Sequence, residues 1–266
     1  MEVINKNIVV TGGGNGMGRE LTIELLSKGA RVIAVDINQI GLEETFILSG
    51  ENKKLLTRVV NITDKETVFK FSEEIISTLG HIDGVINNAG IIQPFKEIKD
   101  LEFEQIDKVM DVNFYGTIYM TKAFLSHLLT RPEGHIINIA SMGGFLPVPG
   151  QSLYGASKAA VKLMTEGLYS ELLGTNIHVS IVFPGAIATD IMKNSQVSNR
   201  TVSGEEKNSK MLTSPSTAAE LIIKGMEKNK YRIFIGKDSK AMNFMYSINP
   251  GFATRLINRI MGLREH

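Results

Sequence analysis

The sequence has no cysteine, which excludes disulfides, thiolate nucleophiles and cysteine-ligated metals while leaving the redox compartment open. It has almost no net charge: 29 Lys and Arg stand against 28 Asp and Glu, for a formal +1. That gives no electrostatic case for nucleic acid as a partner, so a ligand is expected in a pocket. No apolar run reaches the ~18 residues of a membrane span. The N-terminal stretch MEVINKNIVVTGGG lacks the basic region, long apolar segment and small-residue cleavage site of a signal peptide. A cytoplasmic location is therefore expected, and the N-x-[ST] matches at Asn61 and Asn199 read as chance. Repeats, low-complexity tracts and composition shifts that would mark a linker are also lacking, and no metal site is expected. What remains is an ordinary globular composition, 43% hydrophobic and 21% charged over 266 residues. Such a chain suits one large α/β domain or two small ones.

Short β-branched apolar runs recur at Ile8–Val10, Arg31–Val35, Leu55–Val60, Gly84–Ile86, Ile136–Ile139, Val179–Val182 and Arg232–Ile235. Helical segments separate them, and this alternation predicts a parallel sheet. Several runs are apolar without alternation, as strands covered on both faces should be, so the expected fold is an α/β doubly wound sheet of seven strands in one domain. Gly29 and Gly80 suit left-handed helix ends. Thr63 to Glu66 has the spacing of a capping box, and Ser214–Pro215 that of an N-cap followed by Pro, opening a helix to about Lys228. Residues 193–210 lack periodicity and are expected to form a mobile lid inside the domain, with 237–266 a C-terminal extension.

The first strand runs directly into TGGGNGMGRE. Glycines at 12, 16 and 18 permit a tight turn, close backbone approach to a pyrophosphate and close helix packing, with the phosphates at the helix N-terminus. The second strand ends at Asp36, at the distance of an acid that accepts hydrogen bonds from a ribose hydroxyl and repels a 2′-phosphate. Neither Asn15 nor Ile37 supplies a cation, so NAD is expected over NADP; Arg19 and Arg31 keep NADP open.

Tyr154 and Lys158 are four apart in YGASKAAVKLMTEGLYSELL, so both can lie on one helix face. Lowering a phenol's pKa by about three units from its usual ~10 takes roughly 4 kcal/mol of differential stabilisation, which an ammonium and an oxidised nicotinamide ring can supply. Such a phenol can give a proton to a carbonyl oxygen or take one from an alcohol. Ser141 follows a strand whose C-terminal end should face the ligand crevice, where it can hydrogen-bond the same oxygen.

With these motifs in order, the sequence resembles the short-chain dehydrogenases/reductases. Thr11, Gly12, Gly16 and Gly18 match the family's T-G-x-x-x-G-x-G, Asn87, Asn88, Ala89 and Gly90 its N-N-A-G, and Tyr154 and Lys158 its Y-x-x-x-K. Ser141 lies thirteen positions before the tyrosine, and FPGAIAT carries Pro184, Gly185 and Thr189. The resemblance covers about residues 5–190. It implies that Tyr154 is the general acid/base, that Ser141 orients the substrate oxygen, and that Lys158 binds the nicotinamide ribose and lowers the tyrosine pKa. Asn113 would position a water in a proton relay through Lys158. Cofactor contacts would come from the glycine loop, including Asn15 and Met17, from Asp36, Asn61 and Ile62, from Asn88 to Gly90, and from Pro184, Gly185, Ile187 and Thr189. Asn61 departs from the family's usual adenine-contacting aspartate. The resemblance also suggests a homodimer or homotetramer built through the long helix around Phe103–Leu129 and the helix from Tyr154 to Leu173.

The expected activity is thus an NAD(P)-dependent oxidoreductase acting on a ketone or secondary alcohol. The alternative is a non-catalytic dinucleotide sensor or scaffold of the same fold, which would need only the glycine loop and Asp36. Ile92, Pro94, Phe95, Phe145–Val148, Ile191 and Met192 are expected near the pocket. They suit a hydrophobic substrate such as a steroid or fatty acyl compound, or they pack a lid or subunit contact. In the tail, Phe252, Leu256, Ile260 and Leu263 share a helical face, expected to dock on the domain or a neighbouring subunit in preference to a membrane surface.

Overall fold

The structure is a computed structural model that describes residues 1–188, 191, 195 and 212–260. Its frame is a seven-stranded sheet formed by β1 (Asn7–Thr11), β2 (Arg31–Asp36), β3 (Leu55–Val59), β4 (Gly84–Asn87), β5 (Gly134–Ile139), β6 (Ile177–Pro184) and β7 (Arg232–Ile235). Every pairing is parallel, and the order is β3-β2-β1-β4-β5-β6-β7. This is a doubly wound Rossmann-type α/β sheet, whose order reverses between β1 and β4 and so opens a crevice at the carboxyl ends of those strands. β1, β4 and β5 are buried along their whole length, which is why their sequences run apolar without alternation.

Successive side chains point to opposite faces of the sheet. Ile8 and Val10 join one core, while Val9 joins the other. The first core is covered by α1 (Gly16–Ser27), α2 (Gln39–Leu48) and α7 (Pro215–Glu227), through Leu21, Leu25, Leu42, Ile222 and Met226. The second is covered by α3 (Lys65–Leu79), α5 (Gly116–Leu128) and α6 (Ser152–Glu171), through Phe71, Ile75, Met120, Phe124 and Leu168.

Ser214 caps α7 by accepting from the Thr217 amide at 3.1 Å, with Pro215 in the first turn, and Gly29 and Gly80 have φ of +86° and +78°. The cap of α3 differs from the box expected at Thr63. Asp64 is the N-cap and accepts from the amides of Glu66 and Thr67, because it, and not Thr63, stands next to the first helical residue. The helix expected around Phe103–Leu129 is α4 (Phe103–Met110) continued by a π-turn (Asp111–Tyr115) into α5.

At the C-terminal side, α8 (Lys237–Ile248) and α9 (Pro250–Ile260) pack against each other and against the segment after Ser141. Within the chain, α9 docks through a different face from the one that carries Phe252 and Ile260. Ala253 and Ile257 are buried against Leu146, whereas Phe252 and Ile260 are 50% and 60% exposed. Small Ala253 permits a close approach that the larger side chains do not. Leu263 lies outside the described residues. Among the described residues no helix is long and apolar enough to cross a membrane.

One buried polar pair in the sheet gives stability a pH dependence. His135 on β5 is fully buried, with Nε2 2.8 Å from Ser180 Oγ, and Ser180 donates its single hydroxyl proton to Lys230 O at 2.6 Å. Nε2 must therefore be the donor, which leaves Nδ1 a buried lone pair with no partner. Burial first, then repulsion from the Met1 amine and His178, holds the His135 pKa well below that of a free imidazole. The unfolded chain takes up this proton below about pH 6.5 and the folded chain does not, so stability is full above that pH and lost below it. Each pH unit should cost about 1.4 kcal/mol from this group. Denaturant melts between pH 7 and 5 should show a shallower pH slope for His135→Asn than for wild type; equal slopes would rule His135 out as the source.

Candidate active site

The crevice between β1 and β4 is built by hydrogen bonds that tie the two strand ends together. Thr11 Oγ1 accepts from the amides of Asn88 and Ala89, both at 3.0 Å, and Asn88 Nδ2 donates to Thr11 O at 3.0 Å. The chain then turns through Gly12 and Gly16, at φ +70° and +50°. A Cβ on Gly18 would lie 2.0 Å from the Gly12 carbonyl oxygen, so only glycine lets α1 start this close to the loop. Gly18 packs inside the turn, against the Gly12 carbonyl, and is not among the residues that line the cavity.

Asp36 closes the other side of the loop. Oδ2 accepts from the Gly14 amide at 2.9 Å, and Oδ1 from the Asn38 amide at 3.0 Å. Arg19, whose place in the sequence left a 2′-phosphate contact open, is turned onto other partners. Its guanidinium reaches Glu44 at 2.6 Å, Gly14 O at 2.6 Å and Thr45 Oγ1 at 3.1 Å. Arg31 begins β2 and so lies at the opposite end of that strand from Asp36.

A cavity of about 730 Å³ runs from the glycine loop to Tyr154. Gly12, Asn15, Gly16, Met17, Asp36, Asn61 and Ile62 line it at one end. Asn88, Ala89 and Gly90 line it further along, followed by Ser141, Tyr154, Lys158, Pro184, Gly185 and Ile187. Thr189 lies outside the described residues. Asn61 spends its carbonyl locally, since Oδ1 accepts from both the amide and the hydroxyl of Thr63. Asn87 turns away from the cavity into the protein, where Nδ2 donates to Asn138 Oδ1 and Thr121 Oγ1.

Of the apolar wall, Ile92 and Ile191 face the cavity, while Pro94, Phe95 and the segment Phe145–Val148 do not line it. Leu146 is fully buried against α9, and Phe145 packs edge-on against Phe183 with ring centroids 5.7 Å apart. These residues are the seat on which the C-terminal helices dock. Met192 and most of the lid expected at 193–210 lie outside the described residues; within it, Ser195 Oγ accepts from the Ile92 amide at 3.0 Å.

Ser141 follows β5 and caps a short 3₁₀ turn (Met142–Gly144), accepting from the Gly143 amide at 3.0 Å. A Cβ on Gly143 would meet Tyr154 Cε1 at 3.3 Å and Ser141 Oγ at 3.5 Å, so a bare backbone covers both side chains. Burial raises the Tyr154 pKa, and a hydrogen bond with Ser141 opposes the rise. Lys158, 4% exposed, donates from Nζ to Ile139 O at 2.9 Å, and burial brings its pKa down to about 8. The lowering of the tyrosine pKa expected from Lys158 is therefore not a property of this chain alone. The ammonium is turned to a backbone carbonyl, and desolvation dominates at the phenol.

Asn113 lies in the π-turn, fully buried and off the cavity lining. Oδ1 accepts from the Ile91 amide at 2.8 Å, and Nδ2 donates to Ile91 O and Ser157 Oγ, each at 2.9 Å. A Cβ on Gly90 would stand 3.1 Å from both Asn113 Oδ1 and Lys158 Nζ, so the two groups border one small space over that glycine. The π-turn carries no strong sequence signal, since nothing in MDVNFYGT departs from a helical pattern.

Two further polar residues shape the site without being legible in sequence. Gln93 bonds the first turn of α6, and Asp238 at the start of α8 accepts from the Ala186 amide at 2.9 Å. The Asp238 carboxylate fills the space a Cβ on Gly185 would need, at 2.3 Å, so the segment after β6 is held against the C-terminal helices. Among the described residues no cluster of His, Asp or Glu could hold a metal ion.

The parallel sheet, the glycine turn at its switch point and the cavity reaching Tyr154 define a nucleotide-binding α/β protein of the Rossmann class. The short chain dehydrogenase family model matches residues 6–200, and the chain belongs to that family of oxidoreductases. It is 33% identical over 263 residues to SadH of Mycobacterium tuberculosis, a protein assigned to the oxidoreductases, covering 95% of this chain and 94% of the relative. A short chain dehydrogenase from Burkholderia cenocepacia solved with NADP superposes with a TM-score of 0.80 at 25% identity, covering 97% of this chain and 99% of that one. A short-chain dehydrogenase/reductase from Burkholderia phymatum solved with NAD gives 0.81 over 100% and 98% of the two chains; at 20% identity it speaks for the fold alone.

Proposed function

We propose that this chain is an NAD-dependent oxidoreductase that interconverts a hydrophobic ketone and its secondary alcohol, in one domain that carries both cofactor and substrate. The observation that carries this reading is that Ser141, Tyr154 and Lys158 face the same cavity as the glycine loop and Asp36. The loop fits a dinucleotide because the positions nearest its turn leave no room for a Cβ. When bound, the nicotinamide gives or takes the hydride at the carbinol carbon.

The chain's own residues handle the oxygen. Tyr154 gives its phenolic proton to the carbonyl oxygen in the reducing direction and takes it back in the other, while Ser141 Oγ holds that oxygen in place. With the cofactor bound, Lys158 and the oxidised nicotinamide ring together would supply the positive charge that favours phenolate against the desolvation that pushes the phenol up. Asn113, its side chain already bonded to Ile91 and Ser157, borders the space over Gly90 where a water can join it to Lys158. Ile92 and Ile191 give the substrate end its apolar character. The exposed Phe103, Tyr115 and Leu163 suit α4, the π-turn and α6 to contact a second copy of the chain.

Asp36 supports NAD over NADP. Held by two amides at the end of β2, its carboxylate would face a 2′-phosphate at close range, and two such charges at 4 Å repel by about 4 kcal/mol at an effective dielectric of 20. Arg19 is already paired with Glu44. A panel of ketones with NADH and NADPH, and of alcohols with the oxidised forms, should show turnover with kcat/KM favouring the unphosphorylated cofactor by about 10³-fold. Asp36→Ser should reduce that preference below about tenfold. Wild-type turnover as good with NADPH would refute the NAD assignment, and cofactor binding with no turnover across the panel would refute the enzyme.

A further inference from the structure

The helix that carries Tyr154 and Lys158 has no cap of its own. Its N-cap residue, Gln151, makes no side-chain capping bond, which leaves the amides of the first turn without a local partner. They are met instead from about sixty residues upstream. Gln93, 1% exposed, accepts with Oε1 from the amides of Leu153 and Tyr154 at 2.7 and 2.9 Å. Its Nε2 donates to Gly150 O at 2.9 Å and more weakly to Lys96 O at 3.5 Å. Gln151 Nε2 returns a bond to Gln93 O at 2.8 Å.

Four of these bonds cross between the segment after β4 and the start of α6, and they leave that start little freedom to slide or rotate. Tyr154 is itself one of the two residues whose amides are held, so the bond fixes the backbone that carries the phenol. The same segment is anchored on its other side, where Asn113 bonds both the amide and the carbonyl of Ile91. A neutral amide suits this place because it must accept from two helix amides and donate to a carbonyl at once; a carboxylate accepts only, and an apolar side chain does neither.

We infer that Gln93 is a positioning residue for the reaction: as a cap supplied to α6 from a distant segment of the same chain, it sets where the Tyr154 phenol stands relative to Ser141 and the substrate oxygen. This rests on the role proposed for Tyr154 above. A shift of about 1 Å in a catalytic group lowers turnover by about 10²-fold.

The test compares Gln93→Met, of similar length and volume, with Gln93→Glu, which keeps the acceptor, and with Gln151→Met, which removes only the return bond. Gln93→Met should speed exchange of the Leu153 and Tyr154 amides by about tenfold or more. It should also lower kcat by about 10²-fold while leaving the NADH dissociation constant within about threefold. The ionisation of Tyr154, read at 295 nm against the same protein carrying Tyr154→Phe, should move by about half a pH unit or more, because it depends on burial and on the Ser141 bond. Gln93→Glu should keep the slow exchange of the two amides, since the acceptor remains while a carboxylate is set against Gly150 O, and Gln151→Met should keep both the slow exchange and most of the turnover. Unchanged exchange in Gln93→Met would overturn the cap. Faster exchange with unchanged Tyr154 ionisation and unchanged kcat would reduce Gln93 to a structural residue and overturn the inference. If the wild type turns over no carbonyl or alcohol, the oxidoreductase reading fails, while the Tyr154 ionisation still decides the placement of the phenol by Gln93.

Discussion

Tyr154→Phe is expected to lower kcat by about 10³-fold while changing the NADH dissociation constant by less than about threefold. The substitution removes one oxygen and leaves the ring that Gly143 covers, so packing around the 3₁₀ turn is preserved. What is lost is the proton donor to the substrate oxygen, worth about 4 kcal/mol of barrier for a fall of that size. Ser141 can still hold the oxygen, which is why residual turnover should remain and why Tyr154→Phe combined with Ser141→Ala should fall further. Stopped-flow measurement of NADH oxidation with a substrate found in the panel, beside a fluorescence titration of NADH, separates chemistry from binding. Turnover within about tenfold of wild type would remove Tyr154 from the chemistry.

Gly18→Ala is expected to weaken dinucleotide binding by about 10²-fold or more, equivalent to about 2.7 kcal/mol. The added methyl would sit 2.0 Å from the Gly12 carbonyl oxygen and 2.6 Å from Asn88 Nδ2, so the turn, the start of α1 or the tie to β4 must move. Each of these movements opens the surface proposed to meet the phosphates. Gly167→Ala is the control: far from the glycine loop and with nothing of its own chain within 4 Å of the new Cβ, it should leave NADH binding unchanged. Calorimetric titration of NADH on both variants, with circular dichroism to verify folding, reads the difference. Wild-type affinity in folded Gly18→Ala would remove the glycine loop as the cradle.

The two residues also differ in how they could be found. Gly18 is legible in sequence because a strand, a tight turn and a helix impose fixed spacing on the glycines between them. The spacing reports a need for close packing there and does not say which atoms are close; the fold shows them to be the Gly12 carbonyl and Asn88 Nδ2. Tyr154 and Lys158 are legible because four residues of helix put them on one face. Their ionisation was not, because it follows from burial and from the Ile139 carbonyl that receives the lysine.

The apolar segment after Ser141 shows the same limit from another side. Its composition suits a pocket wall, and in the fold it is the floor beneath α9, because Leu146 meets Ala253 and Ile257 from more than a hundred residues away. Within the chain α9 docks through Ala253 and Ile257, whereas Phe252 and Ile260, the larger side chains that the apolar pattern picks out, are on its exposed side.

By itself the amino-acid sequence determined the alternation of strand and helix, the parallel seven-stranded sheet, the glycine turn with its acid at Asp36, and the grouping of Ser141, Tyr154 and Lys158. These are local in origin: each follows from a period, a spacing or a helix end within a few tens of residues. Only the tertiary structure decided that Arg19 turns to Glu44, that Asn113 is spent on Ile91 and Ser157, that Gln93 caps the helix of Tyr154, and that the C-terminal helices cover the loop after Ser141. Each of these joins groups far apart in the chain, and a polar side chain takes its partner from whichever element the packing of the sheet brings within about 3 Å.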